Sequence, residues 1–211
     1  MVGFVEVADR EELERSIRAR CDAGEMADAV AVAIRGYGPE VFGLITAFQR
    51  DPGDAEEVWS RVTERLWKGI AQFAWQSSFR TWFYAIARNT SMRYRDETRR
   101  RNAHQVRLGT GAEEVLAERP RTATASYLTS GHKHWLAAIR DRLPEDDRML
   151  LVLRVDKGLS FSELAVVMHE GDATPLDAEG QKREAARLRK RFQLLKERIQ
   201  AMRADTGERG D

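Results

Sequence analysis

Apolar residues along this chain recur three and four positions apart almost everywhere, and convincing strand-like alternation is absent. That spacing places apolar side chains on one stripe of an α-helix. It predicts helices at about 11–22, 25–35 and 54–70, one that restarts near Pro39 and one that opens at Phe79. In the second half it predicts helices from about 133, 145 and 161, and a last one with an apolar stripe between 185 and 202. The pattern therefore predicts an all-α protein.

Local signals indicate where several of these helices begin. Pro39 suits the first turn of a helix, where its missing N–H costs nothing. Asp54 with Glu57, and Ser160 with Glu163, have the three-residue spacing of an N-terminal capping box. We therefore expect helices to start at these positions.

A change of composition divides the chain into two helical parts. Residues 102–131 are rich in Thr, Ala, Gly and Ser with weak periodicity, which is typical of a linker, with room for a short helix near Glu113–Glu118. We expect two small helical domains joined by a flexible linker: an N-terminal extension at 1–24, a first domain at 25–101, the linker at 102–131 and a second domain at 132–211. In the second domain a short helix, a loop and a basic amphipathic helix have the layout of a helix-turn-helix.

The segment "FAWQSSFRTWFYAIARN", residues 73–89, holds six aromatic residues in seventeen, whereas aromatics are 8% of the chain. One helical face of this segment and its continuation is predicted to be core: Phe79, Trp82, Phe83, Ile86 and Thr90. The opposite face is predicted to be basic and consists of Arg80, Tyr84, Arg88, Ser91 and Arg95. Trp75 and Gln76 precede the helix on a loop.

The net charge of +1 hides a strongly uneven distribution. Residues 88–107 hold seven Arg against two acids, and residues 182–203 hold nine Lys or Arg against two acids. Local basic blocks of this kind are typical of surfaces that bind nucleic acid.

Other function classes find little support in the sequence. The single Cys21 excludes an intramolecular disulfide and favours the reducing cytoplasm. No apolar run is long enough for a membrane span, and the N-terminus lacks a signal-peptide layout. His132, His134 and His169 have no metal-ligand spacing with Cys21, and phosphate-loop and nucleophile motifs are absent. We therefore expect a cytoplasmic protein that has no membrane partner, no metal or other cofactor and no enzymatic activity.

Three ordered pieces of the chain resemble the extracytoplasmic-function (ECF) group of bacterial sigma factors. "DAEEVWSRVTERLWKGI" (54–70) is similar to the region 2 helix that docks on RNA polymerase. "SSFRTWFYAIARN" (77–89) closely resembles the promoter-melting segment, and "LPEDDRMLLVLRVDKGLSFSELAVVM" (143–168) resembles the start of region 4, which reads the promoter. With the last helix, the resemblance covers most of the chain from about 25 to 203.

The resemblance implies three sets of functional residues and their partners. The set implied for core RNA polymerase is Asp54, Glu56, Glu57, Arg61, Glu64, Arg65 and Trp67. The set implied for recognising and melting the minus-ten element is Trp75, Gln76, Ser77, Ser78, Phe79, Arg80, Arg88, Asn89, Arg95 and Arg99. The set implied for duplex DNA at the minus-thirty-five element is Arg183, Arg187, Lys190 and Arg191. An anti-sigma factor is a further partner that the resemblance allows.

The chain departs from the family pattern in two places. Ala74 and Trp75 stand where family members commonly have a small or acidic pair, in the loop that captures a flipped base. The turn after Met168, "HEGDATPLDAEGQK", is much longer than the family's turn.

Two other interpretations remain open on the residues alone. The chain could be a free-standing helix-turn-helix regulator that binds duplex DNA without polymerase. It could also be a helical adaptor, because the apolar stripe of the last helix follows heptad spacing and could pair with a partner helix.

Overall fold

The computed structural model describes residues 7–49, 51–107, 142–169 and 176–205. Within these ranges the chain forms seven α-helices and no strand, so the all-α prediction is confirmed. The helices are α1 (Val7–Asp22), α2 (Met26–Gln49), α3 (Pro52–Gly69), α4 (Phe79–Arg107), α5 (Glu145–Leu151), α6 (Phe161–Met168) and α7 (Ala178–Asp205). A 3₁₀ turn (Ile70–Gln72) follows α3, and a π-helical segment (Val152–Asp156) continues α5.

The first two helices form a tightly packed hairpin. Gly24 makes the turn with φ +79, a left-handed conformation that glycine adopts without steric cost. Ile17 of α1 is fully buried. A Cβ at Gly36 would lie 2.3 Å from Leu13 Cδ2, so the absent side chain lets α1 approach α2 closely. Helix α1 thus belongs to the packed body of the protein, although it was predicted to lie in an N-terminal extension.

The predicted helix break at Pro39 is wrong, because α2 runs through this residue without interruption. Proline removes one backbone hydrogen bond inside a helix. Apolar side chains on both sides of Pro39 are buried on one stripe: Val30, Ala33, Tyr37, Val41, Leu44, Ile45 and Phe48. The free energy gained by burying this continuous stripe outweighs the preference of Pro39 for the first turn of a helix.

The predicted start of α3 at Asp54 is also wrong. The helix begins two residues earlier at Pro52, and the Asp51 carboxylate caps it by accepting from the N–H groups of Gly53 (2.8 Å) and Asp54 (3.1 Å). Asp54 instead accepts a hydrogen bond from the Tyr94 hydroxyl at 2.7 Å and so ties α3 to α4.

The short helices α5 and α6 begin where the sequence predicts. The carboxylate of Glu163 accepts from the Ser160 N–H (2.7 Å), and the Ser160 hydroxyl accepts from the Glu163 N–H (3.2 Å), so that capping box is confirmed. Gly158, with φ +69, follows the π-helical segment. The apolar stripe of α7 is confirmed, with Ala185, Leu188 and Leu195 buried.

Several sequence expectations fall outside the described residues. These are the predicted linker from residue 108 onward, its short helix near Glu113–Glu118, most of the helix expected from 133, and residues 170–175 of the long turn. Helix α4 continues to Arg107, beyond the predicted domain boundary at residue 101.

One apolar core connects the two halves of the described chain. It includes Phe79, Phe83 and Tyr84 of α4 together with Leu153 of the π-helical segment and Leu164 of α6. The predicted core face of α4 is confirmed for Phe79 and Phe83, whereas Trp82 and Ile86 are half-buried.

The opposite face of α4 is buried as well, which the sequence did not lead us to expect. The buried residues on this face are Arg80, Tyr84, Arg88 and Ser91. Because α2 and the second half of the chain pack over it, the basic side of α4 does not face open solvent along its first three turns.

Candidate nucleic-acid interface

The loop before α4 presents a cluster of half-buried aromatic rings. The rings of Phe73 and Trp82 stack with centroids 4.6 Å apart and planes 18° apart, and the ring of Trp75 lies 4.9 Å from that of Phe73. Phe79 packs behind them and is fully buried. We call Phe73, Trp75 and Trp82 the aromatic ladder. Partly exposed ring faces of this kind are suited to stacking on nucleobases.

Trp75 is held in an unusual backbone conformation. Its φ of +56 lies in the left-handed region, and it is the one non-glycine residue with positive φ in the described ranges. Such a conformation costs about 1–3 kcal/mol in a residue with a side chain. The ring is kept in place by Phe73 on one side and by the Arg18 guanidinium, 5.2 Å from the ring centroid. Strain of this kind clusters at functional sites, so Trp75 is the most distinctive residue of the loop.

Polar residues between Trp75 and the start of α4 complete the loop. Gln76 and Ser78 are exposed, and Ser77 is half-buried. The Ser78 hydroxyl accepts from the Thr81 N–H at 3.1 Å and lies 2.8 Å from the Thr81 hydroxyl, so Ser78 caps the helix. The loop therefore offers amide and hydroxyl groups beside the rings.

A carboxylate from α1 anchors the N-terminus of α4. Glu14 accepts from the N–H groups of Phe79 (2.8 Å) and Arg80 (3.0 Å) and from the Tyr37 hydroxyl (2.8 Å). Negative charge is favoured at a helix N-terminus, where backbone N–H groups lack partners. Burial, followed by the nearby charge of Glu14, raises the pKa of Tyr37. Glu14 was not predicted as a site residue, since no local signal in the sequence places α1 beside a helix that starts 65 residues later.

Arg80 lies inside the protein rather than on its surface. Its Nε donates to Glu40 Oε1 at 2.7 Å, and its Nη2 donates to Glu40 Oε2 at 3.2 Å and to the Lys157 carbonyl at 2.9 Å. This side chain is 5% exposed. Arg80 therefore joins α2, α4 and the second half of the chain.

The remaining predicted melting cations of α4 meet acids at the start of α5. Arg95 lies 2.5 Å from Glu145, Arg99 also pairs with Glu145, and Arg88 lies 3.7 Å from Asp146. Asn89, half-buried, accepts from Arg88 Nη1 at 3.1 Å. The structure thus places four of the predicted melting arginines, Arg80 included, against the second half of the chain.

The predicted polymerase-binding set lies on α3, and most of it is exposed. Trp67 is 53% exposed, and Glu56 and Glu57 also lie on the surface. Arg61 is held between Glu57 and Glu97 at 2.7 Å each, and Glu64 pairs with Lys68 at 2.5 Å.

Two members of that set point elsewhere. Asp54 binds Tyr94, as described above. Arg65 is half-buried, and burial, followed by the charge of Arg93, lowers the pKa of its guanidinium.

On α7 the predicted base-reading residues divide into two groups. Arg183, Arg187 and Lys190 are exposed, and Arg187 pairs with Glu184 one turn away at 2.7 Å. Arg191 is half-buried and donates to the buried Asp147 of α5 at 2.7 Å. Arg191 therefore holds α7 on α5 in this structure.

Beside these residues, a groove of about 660 Å³ runs between α6 and α7. Its lining includes two aromatic rings and four cations: Phe161, Phe192, Arg154, Arg189, Lys190 and Lys196. The guanidinium groups of Arg154 and Arg189 lie 4.9 Å and 5.1 Å from the Phe161 ring centroid.

Two features of the described ranges bear on metal binding and on membranes. Those ranges contain no group of three or more His, Cys, Asp or Glu side chains arranged to hold a metal ion. Among the helices described there, none combines the length and the apolar character that crossing a membrane requires.

Half-exposed aromatic rings at the start of an arginine-rich helix are features of the class of proteins that bind nucleic acid. Comparison with known proteins agrees, since residues 33–101 match the family Sigma-70 region 2. The matched residues include α3, the aromatic ladder and most of α4.

Similar proteins include several sigma factors. The chain is 27% identical over 165 residues to the RNA polymerase sigma-H factor of Pseudomonas aeruginosa, covering 75% of this chain and 83% of that protein. It is 28% identical over 144 residues to the ECF RNA polymerase sigma-E factor of Haemophilus influenzae, covering 66% and 76%. The sigma-E factor of Escherichia coli is 28% identical over 141 residues, covering 63% and 71%.

These matches support membership of the sigma-70 family, in its ECF group. Membership of this family supports a role in transcription initiation. The family is a class of initiation factors and not of catalysts, which is consistent with the expectation that the chain is not an enzyme.

Proposed function

We propose that this chain binds core RNA polymerase, recognises the minus-ten and minus-thirty-five promoter elements and opens the DNA at the first of them. The observation that carries this proposal is the aromatic ladder, which lies within the region 2 match and beside the exposed polar groups of the loop. The names of the similar proteins, RNA polymerase sigma factors, support the choice of partner.

The aromatic ladder would stabilise an unstacked base of the minus-ten element. Extruding a base from duplex DNA costs a few kcal/mol, and stacking on an aromatic side chain returns about 1–3 kcal/mol. The Trp75 ring is already held in position by Phe73 and Arg18, so little conformational entropy is lost when a base stacks on it. Gln76, Ser77 and Ser78 supply donors and acceptors for the edge of that base.

Polymerase binding is assigned to the exposed surface of α3. Trp67 is 53% exposed and so presents a large apolar side chain to solvent. Tryptophan is enriched among the residues that contribute most of the binding energy at protein interfaces. Glu64, one turn before Trp67, and Glu56 and Glu57, about three turns before it, carry exposed carboxylates on the same helix. We infer a partner surface on polymerase that has an apolar pocket with basic groups at its rim.

Reading of the minus-thirty-five element is assigned to α7. Arginine and lysine side chains in the major groove donate to guanine O6 and N7. The exposed residues Arg183, Arg187 and Lys190 are assigned this role, for which Arg187 would exchange its pair with Glu184, and Arg191 would position the helix through Asp147. The resemblance also leaves an anti-sigma factor as a proposed masking partner.

Substitution of Trp75 tests the proposal most directly. Trp75→Gly removes the ring and also relieves the positive φ, so the fold should be kept. We expect open-complex formation, measured by permanganate reactivity of unpaired thymines in the presence of core polymerase, to fall roughly 5- to 150-fold, the equivalent of about 1–3 kcal/mol of stacking. Trp75→Phe, which keeps an aromatic ring, should lose much less.

Polymerase binding of the same variants serves as the control. Equal loss of co-purification with polymerase and of promoter opening would contradict a role for Trp75 in the DNA step. If the unaltered chain binds no polymerase but still binds duplex DNA alone, it is a free-standing regulator. If it binds neither polymerase nor DNA, the adaptor interpretation takes its place.

A further inference from the structure

Near its C-terminal end, α1 places an arginine over the aromatic ladder. The guanidinium of Arg18 lies over the Trp75 ring, 5.2 Å from its centroid, and the Arg18 side chain is exposed. Arg18 lies outside residues 33–101, which match Sigma-70 region 2, and it belongs to none of the residue sets predicted from the sequence. The structure therefore adds a cation from α1 to the loop that is proposed to capture a base.

The neighbouring arginines of α1 are engaged within their own helix. Arg15 pairs with Glu12 at 2.7 Å. Arg20 Nη1 donates to the Ser16 hydroxyl at 2.6 Å and to the Ser16 carbonyl at 2.9 Å. Arg18 instead reaches across to another element, where it meets an aromatic ring. A ring attracts the charge of a guanidinium without accepting its N–H groups as an oxygen atom does, so the contact leaves donors for a phosphate.

The backbone at Arg18 is fixed relative to the loop. Ile17 is fully buried, and it holds α1 in the packed body of the protein. Glu14, one turn before Arg18, accepts from the N–H groups of Phe79 and Arg80 at the start of α4. The same helix end follows the loop directly, so the Arg18 side chain can change its partner while its Cα stays beside the loop.

The place that Arg18 occupies over the ring is one that a base can take. Bases stack on the faces of aromatic side chains, and this stacking is stronger than a cation–π contact at an exposed site. A base that stacks on Trp75 from this side would displace the guanidinium. An extruded nucleotide also brings its phosphate toward the ring, and arginine binds phosphate through charge-assisted, bidentate hydrogen bonds. The displaced guanidinium would thus find a stronger partner nearby.

We propose that Arg18 is a further residue of the minus-ten site, which covers the Trp75 ring in the free protein and binds the phosphate of the extruded nucleotide once the base has stacked there. This inference rests on the proposed function, in which Trp75 stacks on a base. It assigns to α1 a direct contact with the melted strand. Neutralising a phosphate releases counterions, so this contact affects the salt dependence of binding, whereas a purely structural role for Arg18 does not.

The test compares Arg18→Gln with Arg15→Gln, each in the full chain bound to core polymerase. Both changes remove one positive charge from α1. Arg15 is the matched control because its side chain is 72% exposed and pairs with Glu12 of its own helix. The probe is a fluorescein-labelled promoter duplex, selected from a random-sequence library by transcription with the unaltered chain and core polymerase. Anisotropy measures its affinity for each holoenzyme between about 50 and 200 mM salt.

We expect Arg18→Gln to weaken promoter binding about 10-fold at the low-salt end, and Arg15→Gln to leave it unchanged. The plot of log affinity against log salt concentration should become shallower for Arg18→Gln by about 0.7, the contribution of one phosphate of a single strand. Arg18→Lys, which keeps the charge, should keep the slope and most of the affinity.

Equal affinity and equal slope for Arg18→Gln and Arg15→Gln would overturn the inference. A loss of affinity with an unchanged slope would overturn the phosphate contact and leave Arg18 as a support for the Trp75 ring. A slope for Arg18→Lys as shallow as that for Arg18→Gln would also overturn it, because lysine still carries the charge. Failure of the proposed function is a separate result, in which the unaltered chain with core polymerase transcribes no template of the library, and the inference then fails with it.

Discussion

Glu14 connects three parts of the protein through one carboxylate. It accepts from two backbone N–H groups at the start of α4 and from the Tyr37 hydroxyl in the middle of α2. Hydrogen bonds to a charged group contribute about 1.5–3 kcal/mol each, more than bonds between neutral groups. Because α4 begins directly after the aromatic ladder, this contact also positions the loop that is proposed to capture a base.

The Tyr37 hydroxyl makes stability depend on alkaline pH. Burial and the Glu14 charge raise the pKa of Tyr37, so above about pH 10 the unfolded chain releases a proton that the folded chain keeps. The free energy of unfolding therefore falls as pH rises through that range. We expect Tyr37→Phe to be less stable by about 1–3 kcal/mol at pH 8, with the difference narrowing as pH rises above 10.

Urea unfolding of both proteins across this pH range provides the measurement. Tyr94→Phe serves as a second case, since the Tyr94 hydroxyl also donates to a carboxylate, that of Asp54, and this hydrogen bond, followed by burial, raises the pKa of Tyr94. A difference between Tyr37→Phe and the unaltered chain that stays constant up to pH 11 would show that Tyr37 is not the source of the alkaline loss.

At the scale of helices, local sequence rules predicted the structure correctly where only one such rule applied. The capping box at Ser160 and the stripe of α7 were predicted from spacing alone and are confirmed. At the start of α3 two rules competed: Asp54 with Glu57 has capping-box spacing, but Pro52 prefers the first helical position, which makes Asp51 the cap. In α2 a continuous buried stripe outweighed the local signal of Pro39.

The cap of α3 gives a prediction about a single helix end. Asp51→Ala removes the acceptor for two N–H groups at the start of this helix, and loss of such a cap costs about 0.5–2 kcal/mol. Glu56→Gln, an exposed change one turn later, is the control and should stay within about 0.5 kcal/mol. Chemical denaturation would measure both, and equal stability of the two variants would contradict the assignment of Asp51 as the cap.

At the scale of the whole molecule, the sequence predicts the helices of both halves but not the contacts between the halves. Trp75, the Arg-rich helix and the helix-turn-helix layout were predictable because each has a local pattern, whereas Trp82 was predicted to be core and Phe73 belonged to no predicted site. The burial of Arg80 and Arg88 was not, since it depends on contacts between residues more than fifty positions apart, for which amphipathic spacing carries no signal. A basic stripe that looks solvated in sequence can be covered by acids from another element.

Substitution of Arg80 tests the contacts that this buried side chain makes with both halves of the chain. Arg80→Ala leaves Glu40, whose side chain is 18% exposed, without its buried partner and also removes the bond to the Lys157 carbonyl. Breaking a buried pair by removing one partner costs about 3–5 kcal/mol. Arg61→Ala, which removes two carboxylate contacts from a side chain that is 38% exposed, should cost no more than about 1 kcal/mol per pair. Thermal and urea unfolding would compare the two variants. A loss for Arg80→Ala as small as that for Arg61→Ala would contradict the strong contribution assigned to the buried contacts of Arg80 with Glu40 and the Lys157 carbonyl.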